Sequence, residues 1–346
     1  MASELGFGIV GAGMVARYHA TAIERTPGAR LVAVCRPNRA RAEETAARFG
    51  VPCLADYPAL LARDDVEAVC ICTPSGMHAE QTIAAARAGK HVLVEKPMAL
   101  TLADADAMID ACAQAGVLLG VALQRRTEPD FQRLRAAIAA GELGRLVLGS
   151  VSVPYMRAQS YYDSAAWRGT WALDGGGALM NQGIHLIDLL LWLMGDATEA
   201  RASAATLAHD IEVEDCITAA LRFGNGALGS VMATTAAAPG FPHRVEIYGD
   251  RGGVQIEGEQ IVRWEGENHV QAPGASTESR EPIAAGAGSS PTGIGAVGHT
   301  RLLADFAAAI RERRDPLVPG AEGRRALALV LAIYESARTG SVMQVG

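Results

Sequence analysis

A repeating alternation in the first part of the chain most constrains its fold. Short apolar runs at 6–10, 31–35, 51–54, 66–73, 91–95 and 117–123 are each separated from the next by a segment of helical pattern. Near-continuous apolar runs are strands buried on both faces, and strands that alternate with helices pair in parallel. The expectation is an α/β chain that opens with a doubly wound parallel sheet. Such sheets bind ligands at the carboxyl ends of their strands.

Four of those strand ends carry chemistry. The first leads into Gly11-Ala12-Gly13-Met14-Val15-Ala16, a GxGxxA turn between strand and helix. Gly11 permits the tight turn, Gly13 lets backbone approach a pyrophosphate, and Ala16 allows close helix packing. The following helix N-terminus offers unpaired N–H groups to phosphate. The second strand ends in Arg36-Pro37-Asn38-Arg39, where an acidic residue would ordinarily hold the adenosine ribose. A guanidinium cannot accept from ribose hydroxyls but pairs with a 2′-phosphate, so Arg36 favours NADP(H) over NAD(H). The fifth run ends in Glu95-Lys96-Pro97, where proline stops the pairing and presents a lysine at the strand end. His78 begins a helix just after Thr73-Pro74, and is a candidate either for shaping the nicotinamide site or for capping and packing.

Length and charge bound the rest. Two domains are the natural prior for 346 residues. The boundary is expected near 124/125, giving 1–124 as the dinucleotide-binding domain and 125–346 as the substrate-binding and oligomerisation domain. The net charge of −7 argues against a nucleic-acid partner. No apolar run reaches the ~18 residues of a membrane span. The first residues lack a basic n-region and cleavable apolar core, so no secretory signal is inferred. The six cysteines show no CxxC pair and no zinc spacing with histidine, which points to reduced thiols in the cytoplasm and to no metal.

The second domain reads as an open sheet, with strand candidates at 145–154, 199–207, 215–223, 227–235, 245–248 and 254–256. Asn225-Gly226 is a hairpin signal, and Thr127 is expected to cap a helix through Ala139. After Gly175-Gly176-Gly177 a helix is expected near Leu179, with Asn181 and His185 four apart on one face. Asp188, three residues beyond His185, suits either a contact with it or a tie to another element. Residues 155–171 concentrate aromatics in a chain with only 5% of them. There Tyr162 can stack on a sugar, and Arg157 and Arg168 can bond hydroxyls or an anion. Packing is the competing role for such aromatics. Residues 267–297, rich in Gly, Ala, Ser, Thr and Pro, read as surface loop.

The order GxGxxA, TPxxxH and EKP, followed by LDGGGALMNQGIHLIDLLLW at 173–192, Gly298-His299, Arg314-Asp315-Pro316 and the helical tail at 322–340, resembles the Gfo/Idh/MocA family of nicotinamide-dependent oxidoreductases. The resemblance covers nearly the full length. It implies an N-terminal Rossmann domain, a C-terminal α/β domain with an open, largely antiparallel sheet, and a C-terminal helix that can pack back on the first domain. It further implies hydride transfer between NAD(P) and a secondary alcohol of a sugar, polyol or sugar derivative. Lys96 and His185 would be the catalytic pair, with Asn181 where many family dehydrogenases have Asp. The cofactor would meet Gly11, Gly13, Met14, Val15, Arg36, Thr73, Pro74, His78, Glu95 and Lys96, and His299 would join the substrate residues. A homodimer or homotetramer is implied, because relatives pair through the open sheet. Two rival readings are an NAD-dependent glycoside hydrolase working by transient oxidation and a non-catalytic nicotinamide-binding regulator.

Overall fold

The computed structural model describes residues 4–37, 39–266, 269–270, 288–290 and 295–346. Asn38 and most of the expected loop at 267–297 lie outside the described residues. The chain divides into two compact units, Met1–Gln124 with Gly295–Arg324 and Arg125–Ile294 with Arg325–Gly346. Residues 295–324, read from the sequence as part of the second domain, thus cluster with the first.

The first unit is built on six parallel strands in the order β3-β2-β1-β4-β5-β6. Its central members are β1 (Leu5–Val10), β4 (Ala68–Ile71) and β5 (His91–Val94), flanked by β2 (Ala29–Cys35), β3 (Cys53–Leu54) and β6 (Leu119–Val121). Every residue of β1 is buried, as an apolar run covered on both faces requires. Phe7, Ile9, Ile71 and Leu93 are among the fully buried side chains, and each such burial stabilises by about 1.5–3 kcal/mol. The strand order reverses between β1 and β4, which places the crevice of an open α/β sheet at their carboxyl ends. Helix α1 (Met14–Arg25) follows β1 directly, and α4 (His78–Arg87) follows β4 through a single 3₁₀ turn. Helix α9 (Val297–Glu312) lies beside α1, with the Tyr18 and His299 rings stacked at 5.5 Å between centroids.

The second unit carries a nine-stranded sheet in the order β14 (His269–Val270), β13 (Gln260–Gly266), β12 (Gly252–Glu257), β11 (Arg244–Gly249), β7, β10, β9, β8 (Ala197–Ala205) and β15 (Met343–Gln344). Only β7 (Leu146–Pro154) and β10 (Leu228–Thr234) pair in parallel, and all other neighbours are antiparallel. The Asn225-Gly226 turn joins β9 (Cys216–Phe223) to β10, with Gly226 at φ +87. Helix α8 (Ile184–Met194) covers the face of β7 that includes Gly149, where an added Cβ would meet Met194 at 2.7 Å. The opposite face leaves Leu148, Leu228 and Met232 exposed at 42%, 51% and 51%.

Two local expectations are corrected. The helix expected to be capped by Thr127 is Pro129–Ala139, after a 3₁₀ turn at Gln124–Thr127. Proline's fixed φ suits the first helical position and sets that start. The helix expected from Leu179 is two pieces, a π-helical turn Ala178–Gly183 and then α8. Asn181 and His185 therefore span a change of helical pitch rather than one regular α-helical face. Among the described residues, no helix is long and apolar enough to cross a membrane, and all six cysteines are free.

Candidate active site

In the first unit the glycine turn is built for a dinucleotide. Gly11 has φ +96, and an added Cβ there would lie 2.5 Å from the Cys72 carbonyl oxygen, so no other residue fits. At Gly13 the equivalent position has nothing within 4 Å, which leaves open space in front of α1. Gly13 supplies no side-chain cap, and the first turn of α1, which begins at Met14 and Val15, has no acidic residue. These N–H groups and their partial positive charge fit a pyrophosphate. Arg36 follows β2 and donates from Nη1 to Thr45 Oγ1 at 3.5 Å.

The loops after β4 and β5 are tied by one histidine. His78 is buried, with Nδ1 2.9 Å from the Pro97 carbonyl oxygen and Nε2 3.0 Å from that of Thr73. It therefore braces the Thr73-Pro74 loop against the Glu95-Lys96-Pro97 turn. Glu95 turns its carboxylate inward. Oε1 is 2.7 Å from His19 Nε2 and 3.6 Å from His299 Nε2, and Oε2 accepts the Lys96 N–H at 3.3 Å. Burial pushes the Glu95 carboxyl up, yet the hydrogen bonds and charge of His19 and His299 outweigh it and hold Glu95 well below the usual range. So Glu95 acts on Lys96 through the backbone, and His299 sits beside Glu95, only 5% exposed.

Sequence spacing could not reveal this cluster, because its members lie on α1, just after β5 and on α9. The donor atoms of His19, Glu95 and His299 lie within 4.8 Å of one another, close enough to hold a metal ion. Two details favour a hydrogen-bonded cluster instead. The His19–Glu95 separation is a direct hydrogen bond, and Nδ1 of each imidazole has no partner, whereas metal-bound histidines almost always anchor that nitrogen.

In the second unit the glycine turn is clamped from three sides. Glu214 accepts the Gly177 N–H at 2.9 Å, the Leu179 N–H at 2.8 Å and the Tyr334 hydroxyl at 2.9 Å. At Gly177 an added Cβ would lie 1.7 Å from the Glu214 carbonyl oxygen, which accounts for the glycine. Burial raises the Glu214 carboxyl to about 7 against the pull of those donors. Within the π-helical turn, Asn181 donates through Nδ2 to Asp174 Oδ1 at 2.8 Å, and Asp174 Oδ2 takes the Gly169 N–H at 2.9 Å. A carboxylate thus stands directly behind the amide. His185 opens α8 at 8% exposure. Asp188 pairs bidentately with Arg126, at 2.8 and 2.6 Å with both side chains buried, so it ties α8 to the 3₁₀ turn.

Arg157, Tyr162 and Arg168 fall close together in this unit. The Tyr162 hydroxyl bonds Thr235 Oγ1 at 2.8 Å, and its ring packs edge-on to Tyr161 and His209. Lys96 lies in the first unit and His185 and Asn181 in the second. Sequence reading missed His19, Asp174, Glu214 and Tyr334. Only Asp174 carried a local signal, an acid immediately before three glycines.

The parallel sheet and its open glycine turn define a nicotinamide-dinucleotide-binding oxidoreductase. The profile described as "Oxidoreductase family, NAD-binding Rossmann fold" matches residues 5–123, and "GFO/IDH/MocA C-terminal domain" matches 131–255. The chain belongs to the Gfo/Idh/MocA family. It is 29% identical to the 1,5-anhydro-D-fructose reductase of Ensifer adhaerens, with 98% of each chain covered. It is 30% identical to the myo-inositol 2-dehydrogenase of Thermotoga maritima, over 71% of this chain and 73% of that one. The WlbA dehydrogenase of Bordetella pertussis, solved with NADH and UDP-GlcNAcA, superposes with TM-score 0.87 at 35% identity and 99% coverage of both chains.

Proposed function

We propose that this protein oxidises or reduces a secondary alcohol of a sugar, polyol or sugar derivative, with Lys96 and His185 serving the reacting oxygen. The observation that supports this most is the Glu95-Lys96-Pro97 turn, braced by His78 and Glu95 beside the glycine turn. The relatives named above add support, since they act on anhydrosugars and inositol. The turn at Gly11, Gly13, Met14 and Val15, with Thr73, Pro74, His78 and Lys96, would hold the dinucleotide. The bound nicotinamide supplies or accepts the hydride. His185 takes the hydroxyl proton, a task for which imidazole is the usual side chain. Lys96 donates to the same oxygen and stabilises the charge that develops there. In reduction both roles reverse. Asn181 cannot carry the proton, so it orients a hydroxyl or the histidine.

Lys96→Ala and His185→Ala should each lower turnover by roughly 10²–10⁴-fold while the unfolding midpoint stays near that of wild type. Near-normal turnover in both folded variants would falsify the assignment.

Arg36 supports NADP(H) as the preferred cofactor, because it follows β2, where an acidic residue would ordinarily hold the ribose, and a guanidinium pairs with a 2′-phosphate. Arg36→Asp should shift the ratio of kcat/KM toward NAD(H). A wild-type preference for NAD(H) that the substitution leaves unchanged contradicts this. Exposed Leu148, Leu228 and Met232 support a homo-oligomer that covers the open face of the second sheet. The six free thiols support a reducing, cytoplasmic setting.

A further inference from the structure

Two arginines of the second unit share one aromatic ring. Arg157 is 4% exposed, and its Nη1 donates to the carbonyl oxygens of Met156 at 2.7 Å and Gly288 at 3.1 Å. Its guanidinium lies 5.3 Å from the Tyr155 ring centroid and 5.8 Å from that of Tyr161. The Arg168 guanidinium lies 4.3 Å from the Tyr161 centroid and 4.5 Å from that of Trp167, and Nη1 donates to the Tyr161 hydroxyl at 2.6 Å. Among the described residues, no carboxylate lies within ion-pair distance of Arg168.

The polar accounting here is incomplete in a consistent direction. Arg168 Nε is a buried donor without a partner, and Gln182 Oε1 a buried acceptor without one. Gln182 belongs to the same π-helical turn as Asn181, and its Nε2 reaches the Tyr161 hydroxyl at 3.5 Å. The nearby carboxylate, Asp174, faces Gly169 and Asn181 rather than Arg168. Burial lowers the Arg157 pKa against the opposing pull of Tyr161, Tyr155 and Tyr162, and the positive charge of Arg168 adds a smaller lowering. Stacking on aromatic rings offsets only part of the cost of partly burying the Arg168 guanidinium. A planar anion that accepts from a guanidinium supplies what is missing.

We propose that Arg157 and Arg168 form an anion-binding subsite beside the Asn181–His185 segment, so that the sugar this enzyme turns over carries a carboxylate or a phosphate. The turnover part of this statement rests on the oxidoreductase reading above. The binding part does not. Gln182 Oε1 then accepts from a hydroxyl next to the anionic group, which selects a sugar acid or sugar phosphate over a bare anion.

Calorimetric titration of the full chain with D-glucose, D-glucuronate and D-glucose 1-phosphate tests it, because the three probes share one ring. One or both anionic sugars should bind roughly tenfold or more tightly than glucose, as charge-assisted hydrogen bonds predict. Whichever anion gains identifies its chemistry as carboxylate or phosphate. The advantage should shrink as salt rises, and that readout needs no substitution. It should collapse in Arg168→Gln and partly return in Arg168→Lys. No anionic advantage in wild type, or an advantage that survives in Arg168→Gln, overturns the proposal. A nicotinamide absorbance assay on the same sugars separates the two readings. Selective anion binding with no hydride transfer from any sugar leaves the subsite standing and removes the oxidoreductase role. Transfer from neutral sugars with no anionic advantage removes the subsite alone.

Discussion

Single buried polar groups do much of the positioning in this protein. Glu214 holds the glycine turn, and burial raises its carboxyl from 4.5 to about 7. The folded chain therefore keeps a proton that the unfolded chain releases between those values. Stability from this group is fully present below about 4.5 and is lost as pH rises to about 7, a change on the order of 3 kcal/mol. In urea titrations across that range, wild type should lose stability relative to Glu214→Gln. Parallel curves for the two proteins would show that Glu214 titrates as an ordinary surface acid. Such partnerships were not legible in the sequence. Glu95 was visible as part of EKP, but its inward turn depends on His19 and His299, which arrive from distant helices. Arg168 was visible as a polar residue among aromatics, and its lack of a carboxylate partner among the described residues emerged only from the fold.

Whole elements are easier to read when their signals are local. The Rossmann strands were legible because each βαβ step is contiguous and each strand is apolar throughout. The π-helical turn at Ala178–Gly183 was not, because an i, i+4 polar pair looks the same in either helix type until the hydrogen bonds form. Nor was the start of the helix at Pro129, where proline at the first position outweighed the capping signal of Thr127. Helix α8 is nearly all buried, with a mostly apolar surface that sets no unique rotation by itself. The Arg126–Asp188 pair supplies that fix. Removing one member leaves a buried charge uncompensated, so Asp188→Ala should cost about 3–5 kcal/mol in denaturant unfolding. A loss below about 1 kcal/mol, the range of an exposed ion pair, would mean that the pair does not hold the helix.

For the molecule as a whole, the class of each sheet was legible in the sequence. The order of the nine strands escaped it, since the pairings of β7 with β10 and β11, and of β8 with β15, join segments far apart in the chain. The grouping of residues 295–324 with the first unit escaped it for the same reason. The exposed face bearing Leu148, Leu228 and Met232 belongs to this scale too. Light scattering should give a mass above 36.1 kDa for wild type, falling toward the monomer in a Leu228→Glu, Met232→Glu double variant. A wild-type monomer at all concentrations would show that this face stays open to water.

The reading of the site turns on net hydride transfer, with proton handling by Lys96 and His185. Its most direct measurement follows nicotinamide absorbance and sugar product together in one reaction of the wild-type enzyme. One cofactor should be converted per carbonyl formed, with both signals lost together in His185→Ala. Product that accumulates while the cofactor signal stays flat would contradict it.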